Sequence, residues 1–103
     1  IQVFDAEGKY VRESQHPGTP CGLCMSRDQH LFLAHGHAGR IMKLDLGGNV
    51  LGVTGSQGKG PNQYGEAHFL ALSAREDIYV ADTLNWRVQK LVKRAGERES
   101  VRA

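Results

Sequence analysis

The stretch from Asp77 to Val92, DIYVADTLNWRVQKLV, predicts two β-strands joined by a tight turn. Its first run, Ile78–Val80, is β-branched and aromatic, which suits a half-buried pleated surface. The segment around Asn85 interrupts this run with a residue that favours turns. From Arg87 onward apolar and polar residues alternate, as they do in a strand with two different faces. The stretch therefore predicts a β-hairpin.

The same pattern occurs earlier in the chain. Ser26 to Asp45 aligns with Ser73 to Val92 without a gap, at an offset of 47 residues. Identical residues stand at Ser26/Ser73, Ala34/Ala81, Arg40/Arg87, Lys43/Lys90 and Leu44/Leu91. Conservative exchanges stand at Leu31/Ile78, Phe32/Tyr79, Leu33/Val80 and Ile41/Val88. Agreement at this density predicts an internal repeat.

Each repeat contains up to four short predicted strands, and no stretch shows a helical periodicity of useful length. The predicted strands of the two repeats are Gly22–Met25 and Phe69–Leu72, then His30–Ala34 and Asp77–Ala81, then strands that start at Arg40 and Arg87, and a return strand over Val50–Val53. The N-terminal hairpin, Ile1–Asp5 with Tyr10–Arg12, repeats the last two strands at an offset of 40. A four-stranded unit that recurs at this spacing is typical of a propeller blade, so we expect an all-β fold of about two four-stranded β-propeller blades.

The chain divides into five predicted segments. They are an outer hairpin of a first blade (1–15), a complete blade (16–54), a glycine-rich inter-blade surface loop (55–66), the inner three strands of a further blade (67–92) and a charged tail (93–103). The Pro- and Gly-rich segment from His16 to Pro20 is expected to be a turn that cannot belong to a central strand. The apolar residues expected to pack one blade against the next are Leu23, Leu31, Leu33 and Leu70, Ile78, Val80.

Composition narrows the class of protein. At 103 residues the chain forms at most one small domain. Its net charge of +2 comes from interspersed basic and acidic residues, so no nucleic-acid or membrane partner is indicated. No apolar run approaches the roughly 20 residues of a membrane span. No signal peptide is visible, but the chain starts at Ile1 rather than Met, so no compartment is assigned.

Blades that contain IYVADT-N-R-QK patterns resemble NHL repeats, which build six-bladed propellers. Within this group the chain is similar to the lyase domain of peptidylglycine α-amidating enzymes and its bacterial relatives. The runs that carry the resemblance are IQVFDAEGKYVRESQHP, CGLCMSRDQHLFLAHGHAGRIMKLDL, GKGPNQYGEAHFLAL and IYVADTLNWRVQKLVKR. They cover nearly the whole chain and correspond to the last two and a half blades of such a domain.

The resemblance implies a role for His68. In the lyase family, three histidines from three blades bind a catalytic zinc on the central channel, and His68 matches the last of them. The family usually has Pro where this chain has Ala67. The other two histidines, and the family's catalytic Arg and Tyr, would lie before Ile1, so an isolated monomer is not expected to be a lyase. His68 has three open interpretations: a channel-lining residue, a relic ligand, or a zinc ligand in a symmetric assembly.

Cys21 aligns with His68 at the offset of 47 and is therefore the second candidate at the channel. With Cys24 it forms a CxxC motif, but neither a second CxxC nor a βαβ context accompanies it. Residues three apart on a strand face opposite sides, so we expect two small buried apolar side chains rather than a metal or redox pair.

Three other features favour structural interpretations. His35 and His37 could share a strand face and bind a metal, but the second repeat lacks the pattern, which favours loop residues. Arg40 and Arg87 recur, which favours a role in building the blade. Trp86 is expected to be a packing residue.

Two functions remain open at this stage. The first is an NHL-type scaffold or interaction module that self-associates and has room for a protein or peptide ligand. Two blades per chain in a six-bladed ring predict a homotrimer, although IQVFD and RVQKLV are both third strands and one must be displaced. The second is zinc-dependent lyase activity, which the resemblance implies only for an assembled ring or a longer parent chain. That reaction would cleave a peptidyl-α-hydroxyglycine to an amide and glyoxylate.

Overall fold

A computed structural model describes residues 1–15 and 19–93, and all regular structure in these ranges is β-strand. The strands are β1 (Gln2–Phe4), β2 (Tyr10–Glu13), β3 (Pro20–Met25), β4 (Leu31–His35), β5 (Arg40–Leu44), β6 (Val50–Thr54), β7 (Ser56–Gln57), β8 (Gln63–Tyr64), β9 (Ala67–Leu72), β10 (Ile78–Asp82) and β11 (Arg87–Leu91). The predicted all-β class is confirmed for these ranges, in which no helix could span a membrane. The tail from residue 94 and the His16–Gly18 part of the predicted turn lie outside them.

Two antiparallel sheets dominate the structure. Strands β3, β4, β5 and β6 form a four-stranded sheet in chain order, and β9, β10 and β11 form a three-stranded sheet in the same order. The bounds of β3, β4 and β5 coincide with those of β9, β10 and β11 at the offset of 47. The β1–β2 hairpin forms a separate two-stranded sheet. Both repeats therefore fold into the same strand arrangement, but within the described ranges the second has no fourth strand.

The repeated serines explain why the first two strands of each unit turn alike. The Ser26 hydroxyl accepts a hydrogen bond from the His30 amide at 3.1 Å, and the Ser73 hydroxyl accepts one from the Asp77 amide at 3.1 Å. A short polar side chain that binds the backbone of its own turn stabilises the turn locally. Each turn also contains a non-glycine residue with positive φ, namely Gln29 and Glu76.

The core lies between the two large sheets. On the three-stranded sheet it contains Leu70, Ile78 and Val80, as predicted, together with Leu91. On the four-stranded sheet it contains Phe32, Ala34 and Ile41, with Cys24 packed against it. The prediction of Leu23, Leu31 and Leu33 for this side is wrong.

The predicted set of leucines lies on the opposite face of the four-stranded sheet. Leu33 pairs with Leu23 and with Met42, so these side chains share the face that points away from the second sheet. The run LFLA in β4 is apolar at every position, and alternation alone does not show which set faces the neighbour. Leu33 is itself buried on the far face, whereas Leu23 is exposed.

A close approach of the edge strands β3 and β9 fixes the spacing of the sheets. A methyl group added at Gly22 would lie only 2.9 Å from the Cα atom of Phe69. Only glycine fits such a contact, which explains its place in a strand interior. Pro20 is the first residue of β3 rather than part of the preceding turn, because an edge strand tolerates a residue that donates no backbone hydrogen bond.

The segment predicted as a surface loop, 55–66, is more ordered than expected. It contains the short parallel pair β7–β8, and Tyr64 is fully buried. The Tyr64 hydroxyl donates to Asn62 at 3.0 Å, and burial raises the pKa of Tyr64 to about 12. A phenol in such a site stays neutral through the physiological range and acts as a core residue.

Trp86 does not pack in the core as predicted. Its side chain is 93% exposed, and its backbone adopts a positive φ of 57°. The equivalent residue of the first repeat is Gly39, with φ of 66°. A bulky residue is strained in this conformation, whereas glycine adopts it freely.

Leu70→Ala should lower the free energy of unfolding by about 2–5 kcal/mol, because it removes a core side chain that is 2% exposed and leaves a cavity between the sheets. Urea denaturation followed by circular dichroism measures the loss. Leu51→Ala, an exposed residue of β6, is the matched control and should cost about 0.5 kcal/mol or less. Equal losses in the two variants would show that Leu70 is not in the core.

Trp86→Gly should raise the free energy of unfolding by about 1 kcal/mol, because it relieves the left-handed backbone without removing a buried contact. Trp86→Ala keeps a Cβ atom in the strained conformation and should give no such gain. Thermal melts of the three proteins make the comparison, and a stabilised alanine variant would contradict the strain.

Candidate functional site

The two predicted site residues occupy equivalent backbone irregularities. In the β3–β4 pair, Pro20 is opposite His35 and Gly22 is opposite Ala34, which leaves Cys21 as an extra residue. In the β9–β10 pair, Ala67 is opposite Asp82 and Phe69 is opposite Ala81, which leaves His68 as an extra residue. Such bulges redirect a side chain relative to the regular pleat.

Both bulged side chains are exposed, on edge strands that lie against each other. A methyl group at Gly22 would lie 3.2 Å from the carbonyl oxygen of His68, so the two bulges are close neighbours in space. The Cys21 thiol donates to the Thr19 carbonyl oxygen at 3.4 Å. The predicted burial of the CxxC pair is therefore wrong for Cys21, while Cys24 is half-buried against the core, and neither forms a disulfide.

The HxH motif is split between two environments. His35 is the last residue of β4 and is buried, so the prediction of a loop residue is wrong there. His37 lies in the following turn, and its Nε2 atom is 3.3 Å from Glu66. Glu66 also accepts a hydrogen bond from the Thr83 hydroxyl at 2.7 Å.

Within residues 1–15 and 19–93, no group of three or more His, Cys, Asp and Glu side chains could hold a metal ion.

A buried carboxylate that sequence reasoning missed organises the adjacent loop. Asp82 has no exposed surface, and its Oδ1 atom accepts the backbone amides of Gly65 at 3.0 Å and Glu66 at 3.1 Å. Its Oδ2 atom accepts the Asn85 amide at 2.8 Å and lies 3.4 Å from the Arg87 Nε atom. Burial alone would raise the pKa of Asp82, but these donors together lower the pKa below its ordinary value.

Arg87 extends this network to the loop that precedes β9. Its guanidinium donates to the carbonyl oxygens of Lys59, Gly60 and Gln63, at 2.6, 3.0 and 2.8 Å. These contacts agree with the predicted structural role for Arg87. The available signal was the close spacing of Asp82, Asn85 and Arg87 around one turn. In the first repeat the positions equivalent to Asp82 and Asn85 hold His35 and Ala38, so the repeat comparison did not reveal the network.

A comparison with protein-family models and a search of curated proteins found no match for this chain. The fold and the site define it as an all-β protein of two similar antiparallel sheets that stack face to face.

Asp82→Asn should lower the free energy of unfolding at pH 7 by roughly 2–3 kcal/mol, because an amide nitrogen would face the donors of Asn85 and Arg87. The folded-state pKa of Asp82 is lowered, so its stabilising effect is present above the unfolded pKa of about 3.9 and is lost as pH falls through the folded pKa. The stability gap between wild type and variant should therefore shrink at pH 3.

Urea unfolding at pH 7 and pH 3 measures this gap. Asp45→Asn is the control, because Asp45 is a half-buried turn carboxylate that accepts hydrogen bonds from Asn49 of its own turn, and its substitution should change stability much less than Asp82→Asn. A gap for Asp82→Asn that is as large at pH 3 as at pH 7 would contradict the role of the charged carboxylate.

Proposed function

We propose that the chain is a segment of an NHL-type β-propeller that self-associates into a six-bladed homotrimeric ring and acts as a scaffold or interaction module. The observation that carries the proposal is that the stack of two sheets has an exposed apolar face at each end. One end exposes Phe69, Tyr79 and Val88, and the other exposes Leu23, Met25 and Val53. Groups of exposed apolar side chains of this kind are typical of interaction surfaces.

Open strand edges give further support. In the described residues β11 pairs only with β10, whereas its repeat counterpart β5 also pairs with β6. The β1–β2 hairpin is the repeat counterpart of β5–β6 and forms no larger sheet. Closing a ring removes such edges. Because β11 has five registered partners in β10, we expect β1 to be the third strand that is displaced at each junction between chains.

Light scattering after size exclusion should give a mass three times the 11.3 kDa of one chain at micromolar concentration. Three chains with two sheets each supply the six blades of a closed ring. A single species of 11.3 kDa under these conditions would reject the proposal.

A second candidate function is zinc-dependent lyase chemistry of the amidating type, favoured by the exposed, bulged position of His68 on the edge strand β9. In a trimer the three copies of His68 would be related by symmetry around the ring axis. Three histidines with one open position form a common catalytic zinc site. One chain supplies only one of these ligands, so this function depends on assembly.

If the ring is such an enzyme, the assembled protein should retain about one zinc ion per three chains after dialysis, and His68→Ala should lose it. Elemental analysis by mass spectrometry measures the zinc content. His37→Ala removes an exposed histidine outside the bulge and should keep the metal. A zinc-free wild-type ring would reject the enzyme and leave the scaffold function in place.

A further inference from the structure

We infer, on the basis of the proposed self-association, that two copies of the chain join head to tail through two particular sheet faces. The outer face consists of Ala71, Tyr79, Ala81 and Val88 on β9–β11. The receiving face is the face of β3–β5 that carries Leu23, Leu31, Leu33 and Leu44. Leu33 and Leu44 are already buried within the chain, and Leu23 is the exposed member that a second copy can reach. The outer face of one chain docks on the receiving face of a second copy.

The interface inside one chain supplies the template. There the three-stranded sheet contributes Leu70, Ile78, Val80 and Leu91. The four-stranded sheet contributes Cys24, Phe32, Ala34 and Ile41. These two sets belong to opposite faces of the repeated unit, so the interface is heterologous.

Because the unit is repeated, each half of the internal interface has an equivalent set of residues on one of the two end faces of the stack. At the offset of 47, the internal half on the three-stranded sheet corresponds to the receiving face. The internal half on the four-stranded sheet corresponds in the same way to the outer face. The outer face and the exposed part of the receiving face around Leu23 are thus versions of the two complementary halves of an interface that the chain already forms internally, and the partner with matching chemistry is a second copy of the chain. Heterologous contacts of this type produce rings when the rotation closes.

A cation–π pair shows that the correspondence extends to side-chain geometry. In the internal interface, Lys43 is buried with its ammonium nitrogen 5.8 Å from the centre of the Phe32 ring. On the outer face, the Lys90 nitrogen lies 5.6 Å from the centre of the Tyr79 ring. Such a contact gains strength when it is desolvated. The outer face therefore carries the same lysine–aromatic pair that is buried in the interface between the two sheets.

One difference determines where two copies can touch. Phe69 stands on the outer face at the position equivalent to Gly22, whose lack of a side chain allows β3 and β9 to approach closely. The inner strands of two copies must lie further apart than these two strands. Val88 of β11 is 67% exposed and Leu23 of β3 is 46% exposed, so these two side chains are available to fill the wider gap between the copies.

Complementation between two variants tests the arrangement. Val88→Glu places a charge on the outer face, and Leu23→Glu places one on the receiving face. Each should raise the dissociation constant of the ring at least about 100-fold, because a buried charge would have no partner. Each variant alone should then be monomeric. Mixed at high micromolar concentration, they should form a two-chain complex, because one intact copy of each face remains.

Sedimentation velocity of wild type, each variant and the mixture separates the outcomes. A monomeric wild type overturns the proposed self-association itself. An assembled wild type whose variants remain assembled shows that other surfaces make the contact. Monomeric variants whose mixture stays monomeric overturn the head-to-tail arrangement.

Leu84→Glu is the control, because Leu84 is 57% exposed in the β10–β11 turn outside both faces, and this variant should still assemble. Circular dichroism checks that the variants are folded. The pair Val88→Thr and Leu23→Thr provides the same test with a strand-favouring residue if the glutamates reduce the melting temperature.

Discussion

The structure depends on the packing of one sheet face against another across the Gly22 contact. Antiparallel sheets normally bury one face and expose the other to water. Here the second sheet covers one face of the four-stranded sheet, and Gly22 allows their inner strands to meet at backbone distance. The same geometry leaves an apolar face at each end of the stack. The feature that folds the chain therefore also leaves exposed the faces on which the proposed self-association rests.

Polar contacts at one end of the three-stranded sheet fix the position of the loop that precedes it in the chain. Asp82 and Arg87 connect the β10–β11 hairpin to the loop that leads into β9 through charge-assisted hydrogen bonds. The core supplies most of the driving force, since packing of apolar area is not directional. The buried Asp82 carboxylate orients the loop relative to the hairpin, because its oxygens accept hydrogen bonds from donors at fixed positions in both. The first repeat has no such carboxylate, because its equivalent position is His35.

The sequence predicted the strands well and the side-chain contacts less well. Alternation and the repeat placed β3 to β6 and β9 to β11 to within a few residues, because both signals come from local strand geometry. They did not show which face of β4 meets the second sheet, because Leu31, Phe32 and Leu33 are all apolar. The β7–β8 pair, the bulges and the Asp82 network were also missed. Each depends on contacts between segments that no periodicity records.

The bulges show where this architecture allows chemistry to vary. The turns, strand lengths and bulges recur at the offset of 47, so the two units share one backbone arrangement. The extra residue in each bulge does not take part in the packing of one sheet on the other, and its side chain is exposed on an edge strand. One repeat carries a thiol at this position and the other an imidazole, Cys21 and His68. A change at this position alters the reactivity of the inner edge without altering the core, because neither side chain contributes to the packing between the sheets.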